Sequence, residues 1–180
     1  MSLMEDLPTF YPTLIPLGFF FWGPALVVLT LLLSWLWARS LRVDRALESD
    51  FNGFTKEDVE KLFSLYGPER RAIYRNKLLP ADLAFALVYT VVGALIVVGL
   101  SMRGYPWWVA ALCGGGWLFG GLCDVAENLA IARLLDRYPK VEDGTVAFAS
   151  GFTRLKLVLT GLGFVGAIAA YYLAFKPIAA

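Results

Sequence analysis

The stretch YPWWVAALCGGGWLFGGLC, residues 105–123, runs without a charge into Asp124-Val125-Ala126-Glu127-Asn128. Nineteen uncharged residues are enough to cross hydrocarbon as a helix. Yet two carboxylates and an amide close the run. At helical spacing, positions 124, 127 and 128 share one face, because i, i+3 and i+4 neighbours stack over one another. That face must turn toward something other than lipid.

Composition agrees with a membrane reading. The chain has 180 residues, 58% of them hydrophobic and 17% charged, with a mean hydropathy of +0.63. This is too apolar for one soluble domain, and several runs reach bilayer-spanning length. A net charge of +1 leaves no basic footprint for nucleic acid. The chain holds no histidine, which removes the commonest metal ligand and the usual general base. Cys113 and Cys123 lie about 15 Å apart along one expected helix and cannot bridge each other. No Cys/His metal spacing, P-loop or nucleophile elbow appears.

Outward from the opening stretch, the expected fold is all-α: a single membrane domain over 1–180 forming a four-transmembrane-helix bundle. The spans are expected at about 13–39, 79–102, 105–135 and 146–175, with a cytoplasmic connector over 40–78. Met1 to Pro12 carries Glu5 and Asp6 but no Lys or Arg, so the first apolar segment is expected to be retained as a span rather than cleaved. Gly23-Pro24 predicts a kink inside it.

From Arg39 to Leu79 there are nine Lys/Arg against seven Asp/Glu, the composition of a water-exposed segment. Thr55 is placed to cap a short helix carrying Val59, Leu62 and Phe63, and Gly67 to end it. Pro68 opens a second helix with Arg70, Arg71, Tyr74 and Arg75. The pair reads as an amphipathic helical hairpin. Either its stripe lies in the membrane interface with the arginines on headgroups, or it packs as a cap over the bundle.

Segment two begins Leu79-Pro80-Ala81-Asp82, with Pro80 suited to a first turn, and Asp82, Phe85, Ala86, Tyr89 and Gly93 share a face. Gly116 and Gly120, at four-residue spacing, predict close helix approach and a homo-oligomer through that face. Arg133 falls about 180° around the helix from Asp124 and is expected to snorkel rather than pair with it. Segment four carries Thr153, Lys156, Thr160, Gly163, Ala167 and Ala170 on one inward stripe.

Arg133, Arg137, Lys140 and Arg154 join the connector cations on one side, against Arg103 and Lys176 on the other. The positive-inside rule then makes the connector side cytoplasmic, with both termini outside, in the cell inner membrane. Asp82, Asp124, Glu127, Asn128, Thr153 and Lys156 would thus stand at one cytoplasmic-side level, with more acid than cation. Asp124, Glu127 and Asp82 are the candidate acid/base groups or Mg²⁺ ligands. Asn128, Lys156, Thr153, Tyr89, Arg70 and Arg71 are the candidate ligand-binding groups.

The Asp124-x-x-Glu127-Asn128 run departs from the D-x-x-D-G-x-x-A-R motif of the CDP-alcohol phosphotransferases: Asn128 replaces the glycine and Ala132-Arg133 falls one position late. Compared with diacylglycerol-kinase-like membrane enzymes, Ala132 stands where a carboxylate is needed. The chain resembles a set of small bacterial four-span membrane proteins. The likeness rests on Tyr66-Gly67 with Arg70, Arg71 and Tyr74, then Leu79-Pro80-x-Asp82-x-x-Phe85 and Tyr89, Asp124-x-x-Glu127-Asn128, Tyr138-Pro139 and Thr153-x-x-Lys156. It implies a four-span fold and supplies no activity. Three functions are therefore expected: a structural or partner-binding membrane protein, a membrane-embedded lipid or amphiphile site or lipid-modifying enzyme using Asp124 and Glu127, and a proton- or cation-coupled transporter acting as an oligomer.

Overall fold

The structure, a computed structural model, describes residues 52–175 together with Ala25, Val28, Leu29, Leu32 and Leu47. The span expected at 13–39 lies outside the described residues except at Ala25, Val28, Leu29 and Leu32, each helical and exposed. The kink expected at Gly23-Pro24 also lies outside them.

Helix α1, Lys56–Ile73, begins with a capping box. The Thr55 amide donates to Asp58 Oδ2 at 2.9 Å, and the Asp58 amide donates back to Thr55 Oγ1 at 3.3 Å. Two orphan amides of the first turn are thereby satisfied, and Glu57 and Asp58 complement the positive helix end. Gly67 breaks the helix at φ 66°, ψ 177°, a conformation costly for any residue with a Cβ. Arg71 ties the two sides of this kink: its guanidinium donates to the Phe63 carbonyl at 2.7 Å and stacks 4.5 Å from the centre of the Tyr138 ring.

A π-helical turn, Tyr74–Leu78, leads directly into α2, Leu79–Met102. The expected helix start at Leu79-Pro80 is therefore the interior of a continuous helical run. The widened turn directly precedes Pro80, which lacks an amide hydrogen and crowds the carbonyl four residues back. After a turn through Arg103 and Gly104, α3 spans Trp107–Arg137, about 46 Å long. A short loop returns the chain into α4, Asp143–Phe175.

Among the described residues, three helical stretches, Lys56–Met102, Trp107–Arg137 and Asp143–Ala174, are long and apolar enough to cross a membrane. Leu87, Val91, Val98, Leu112, Phe119, Leu122, Val158, Leu162, Val165 and Ile168 lie along them more than half exposed, an apolar surface of the kind that faces lipid. Helix α3 packs against both α2 and α4, which touch each other little.

Glycines bring the backbones together. A Cβ on Gly114 would collide with the Gly93 carbonyl of α2, and one on Gly116 with the backbone of Gly163 on α4. Gly120 faces Thr160 and Leu159 of α4. The Gly116/Gly120 face expected to join two copies is thus occupied by the chain's own α4.

Two apolar cores result. One gathers Phe85, Ala86, Tyr89, Ile96, Leu100, Trp117, Ala167 and Ala170 between the membrane-length helices. The other joins Phe54, Val59, Phe63, Tyr66 and Tyr74 to Ile131, Leu134, Leu135, Val141, Val146 and Ala149. The stripe of α1 is therefore spent on the protein. Helix α3 continues past Asn128 with its own apolar face, and α1 covers it, so residues 52–78 pack as a cap on the end of the bundle.

Candidate functional site

Between the two apolar cores lies one polar layer. Asp82 enters from the first turn of α2, Tyr89 from two turns further on, Asp124, Glu127 and Asn128 from α3, and Thr153 and Lys156 from α4. The i, i+3, i+4 spacing on α3 and the i, i+3 spacing on α4 put these side chains on facing surfaces. Exposure is 3% at Asp124, 0% at Glu127, 4% at Asn128, 0% at Thr153 and 7% at Lys156, so these five side chains are out of bulk water, while Asp82 at the edge of the layer is only partly buried.

Lys156 is its centre. The ammonium stands 2.7 Å from Asp124 Oδ1 and 2.6 Å from Glu127 Oε2, bridging two carboxylates one helical turn apart. The Thr153 hydroxyl bonds Glu127 Oε1, and its oxygen also lies 3.1 Å from the Ala149 carbonyl. The second Asp124 oxygen accepts the Tyr89 hydroxyl at 2.8 Å, with the Gly120 carbonyl 3.2 Å away. Such charge-assisted bonds are the strong ones in a dry interior.

Asn128 links the layer to α2. Its amide nitrogen donates to Asp82 Oδ2 at 2.8 Å and to Asp124 Oδ1 at 3.3 Å. A neutral donor with two hydrogens stands between two acids that would otherwise repel. Its Oδ1 is buried and has no hydrogen-bond partner among the described residues. Formally the layer holds three carboxylates and one ammonium.

The structure thus brings together the six residues expected on the common level, Asp82, Asp124, Glu127, Asn128, Thr153 and Lys156, and adds Tyr89, which was expected on the Asp82 face of its helix. It does not bring Arg70 and Arg71 to them. Arg71 is committed to Phe63 and Tyr138, and Arg70 is exposed on the cap. Among the described residues no group of three or more His, Cys, Asp or Glu side chains is placed to hold a metal ion.

Arg133 stands apart from Asp124, as its helical angle requires. Its guanidinium lies 3.5 Å from Glu142, whose carboxylate Arg137 also binds. Two polar ties of the cap were not legible as pairs in the sequence. The Ser150 hydroxyl accepts the Phe54 amide at 2.9 Å, and Arg75 makes a two-pronged contact with Asp136 at 2.9 and 3.1 Å. Neither pair has a spacing that a pass along one chain could reveal.

No protein-family model, curated protein or solved structure matches the chain.

Proposed function

We propose that this chain is a multi-pass inner-membrane protein of structural or partner-binding type, whose polar layer is an interhelical lock. One observation carries the reading: Lys156 of α4 is held between Asp124 and Glu127 of α3, with each carboxylate held by a further hydroxyl. A catalytic or carrier group needs a face left for its substrate. Here the ammonium and the hydroxyls are turned inward on neighbouring helices, which is the arrangement of a registry device.

The positive-inside bias supports a cytoplasmic cap and termini on the outer side. Cysteine labelling from outside intact cells tests the orientation: Arg103→Cys is expected to react and Lys140→Cys to stay silent. The reverse pattern inverts the topology.

A second reading is a lipid or amphiphile site, or a lipid-modifying enzyme, at Asp124 and Glu127. The charge imbalance favours it, because three carboxylates outnumber one ammonium and Asp82 is only partly buried. A proton- or cation-coupled transporter rests on the same imbalance. The Asp124→Asn and Glu127→Gln variants separate the lock from both. Loss of folding in detergent supports the lock. Intact folding with loss of co-purified lipid supports the site, and altered proton uptake in vesicles supports transport.

A further inference from the structure

A groove opens on the side of α3 turned away from the polar layer. Ala126, Leu129, Ala130 and Arg133 of α3 face Gly144, Thr145 and Phe148 of α4 across about 480 Å³. These α3 positions step by three and four residues, so they form one strip, roughly 10 Å long from Ala126 to Arg133. A Cβ at Gly144 would meet nothing within 4 Å, so the α4 wall stands open.

Depth comes from the helix itself. Trp107 and Trp108, 78% and 53% exposed, mark one interface at the start of α3. Twenty residues at 1.5 Å each cover the hydrocarbon, about 30 Å, and bring the other boundary near Glu127. Arg133 then stands about 9 Å further on, at headgroup level. The groove straddles the boundary, with Leu129 and Phe148 exposed at 63% and 50%.

Charge is matched to an anion at the far end. The Glu142 carboxylate is shared by Arg137 and by Arg133 at 3.5 Å, and its Oε2 also accepts the Thr145 hydroxyl at 3.1 Å. Two guanidiniums against one carboxylate leave one positive charge at the mouth. The Arg133 side chain is 55% exposed and makes the longer of the two contacts. The strip is too short to seat a partner helix, and its length suits a glycerophosphate with its first methylenes.

We propose that this groove holds an anionic phospholipid, its phosphate on Arg133 and its glycerol and upper acyl chains against Leu129 and Phe148. The proposal rests on the membrane placement given above and uses no group of the polar layer.

Native mass spectrometry of the full chain in nonionic detergent tests it, with phosphatidylglycerol and phosphatidylcholine added in turn. Wild type is expected to retain phosphatidylglycerol roughly tenfold better. Arg133→Gln, which removes the charge, and Ala126→Trp, which fills the groove, should each abolish that preference. Arg133→Lys should keep most of it, and Tyr89→Phe in the polar layer should leave it unchanged. Equal retention of the two lipids by wild type overturns the proposal, as does an unchanged preference in Arg133→Gln. Displacement of the lipid by millimolar inorganic phosphate would show a free-anion site instead. Loss of preference in Tyr89→Phe alone would move the lipid to the polar layer. Whether the chain sits in the bilayer is read separately by alkaline carbonate extraction, so failure of the groove and failure of the membrane reading are distinct results.

Discussion

Lys156 Nζ lies 2.7 Å from Asp124 Oδ1 and 2.6 Å from Glu127 Oε2, so one cation on α4 satisfies two anions a single turn apart on α3. Removing one partner of such a group leaves a buried charge uncompensated, whereas removing charges together does not. Lys156→Met alone should therefore destabilise the fold by about 3–5 kcal/mol. Lys156→Met combined with Asp124→Asn and Glu127→Gln should recover most of that loss. Equilibrium unfolding in mixed detergent micelles measures both. Equal destabilisation by the single and the triple variant would mean that packing, not charge, accounts for the loss.

Asn128 is neutral where an acid would be a fourth like charge. Its two amide hydrogens are divided between Asp82 and Asp124, so Asn128→Asp replaces two attractions with two repulsions. Asn128→Ala only deletes the donors, at a cost of about 1–3 kcal/mol. The expected order of unfolding midpoints is wild type, then Asn128→Ala, then Asn128→Asp. Should Asn128→Asp be the more stable of the two, Asp82 and Asp124 do not repel a third acid there.

The polar layer was legible because its residues violate the apolar pattern around them. An aspartate and a glutamate at the end of nineteen uncharged residues announce themselves, and helical arithmetic then fixes which neighbours share their face. Lys156 and Thr153 followed by the same arithmetic, and matching depths brought the helices' polar ends to one level. The cap was less legible. Val59 and Phe63 form the same stripe whether it meets lipid or Ile131, because periodicity reports that a face is buried but not against what. The π turn at Tyr74–Leu78 was hidden for a related reason: Pro80 looks like a helix start, and only the path of the backbone shows a helix running through it. Gly116 is legible as a close-approach site, but its spacing does not say which helix arrives, and here it is α4 of the same chain.

Glycine positions separate packing from flexibility. Gly116→Leu should drive a side chain into the backbone of Gly163 and cost at least about 1–3 kcal/mol, the usual penalty of overpacking. At Gly161 on the same helix α4, a Cβ meets nothing within 4 Å, so Gly161→Ala should be neutral or stabilising by about 0.5–1 kcal/mol. Thermal aggregation onsets in detergent provide the comparison. Similar tolerance at both sites would remove the close α3–α4 contact.

The loop between α3 and α4 gives a pH prediction with a definite sign. The Thr145 hydroxyl, ahead of the attraction of Arg137 and Arg133, holds the Glu142 carboxyl below its ordinary value of 4.5. A folded-state value below the unfolded one means that the unfolded chain binds the proton more readily, so the stabilisation from Glu142 is fully present above about pH 4.5 and fades as pH falls through the lower folded value. Glu142 is exposed, and its effect should therefore also weaken with salt. Wild type and Glu142→Gln should differ in unfolding midpoint at pH 7 and low ionic strength, and converge under acid or in molar salt. A gap that widens on acidification would reverse the assignment. One that ignores salt would show that Glu142 acts through its packing against Thr145 rather than through its charge.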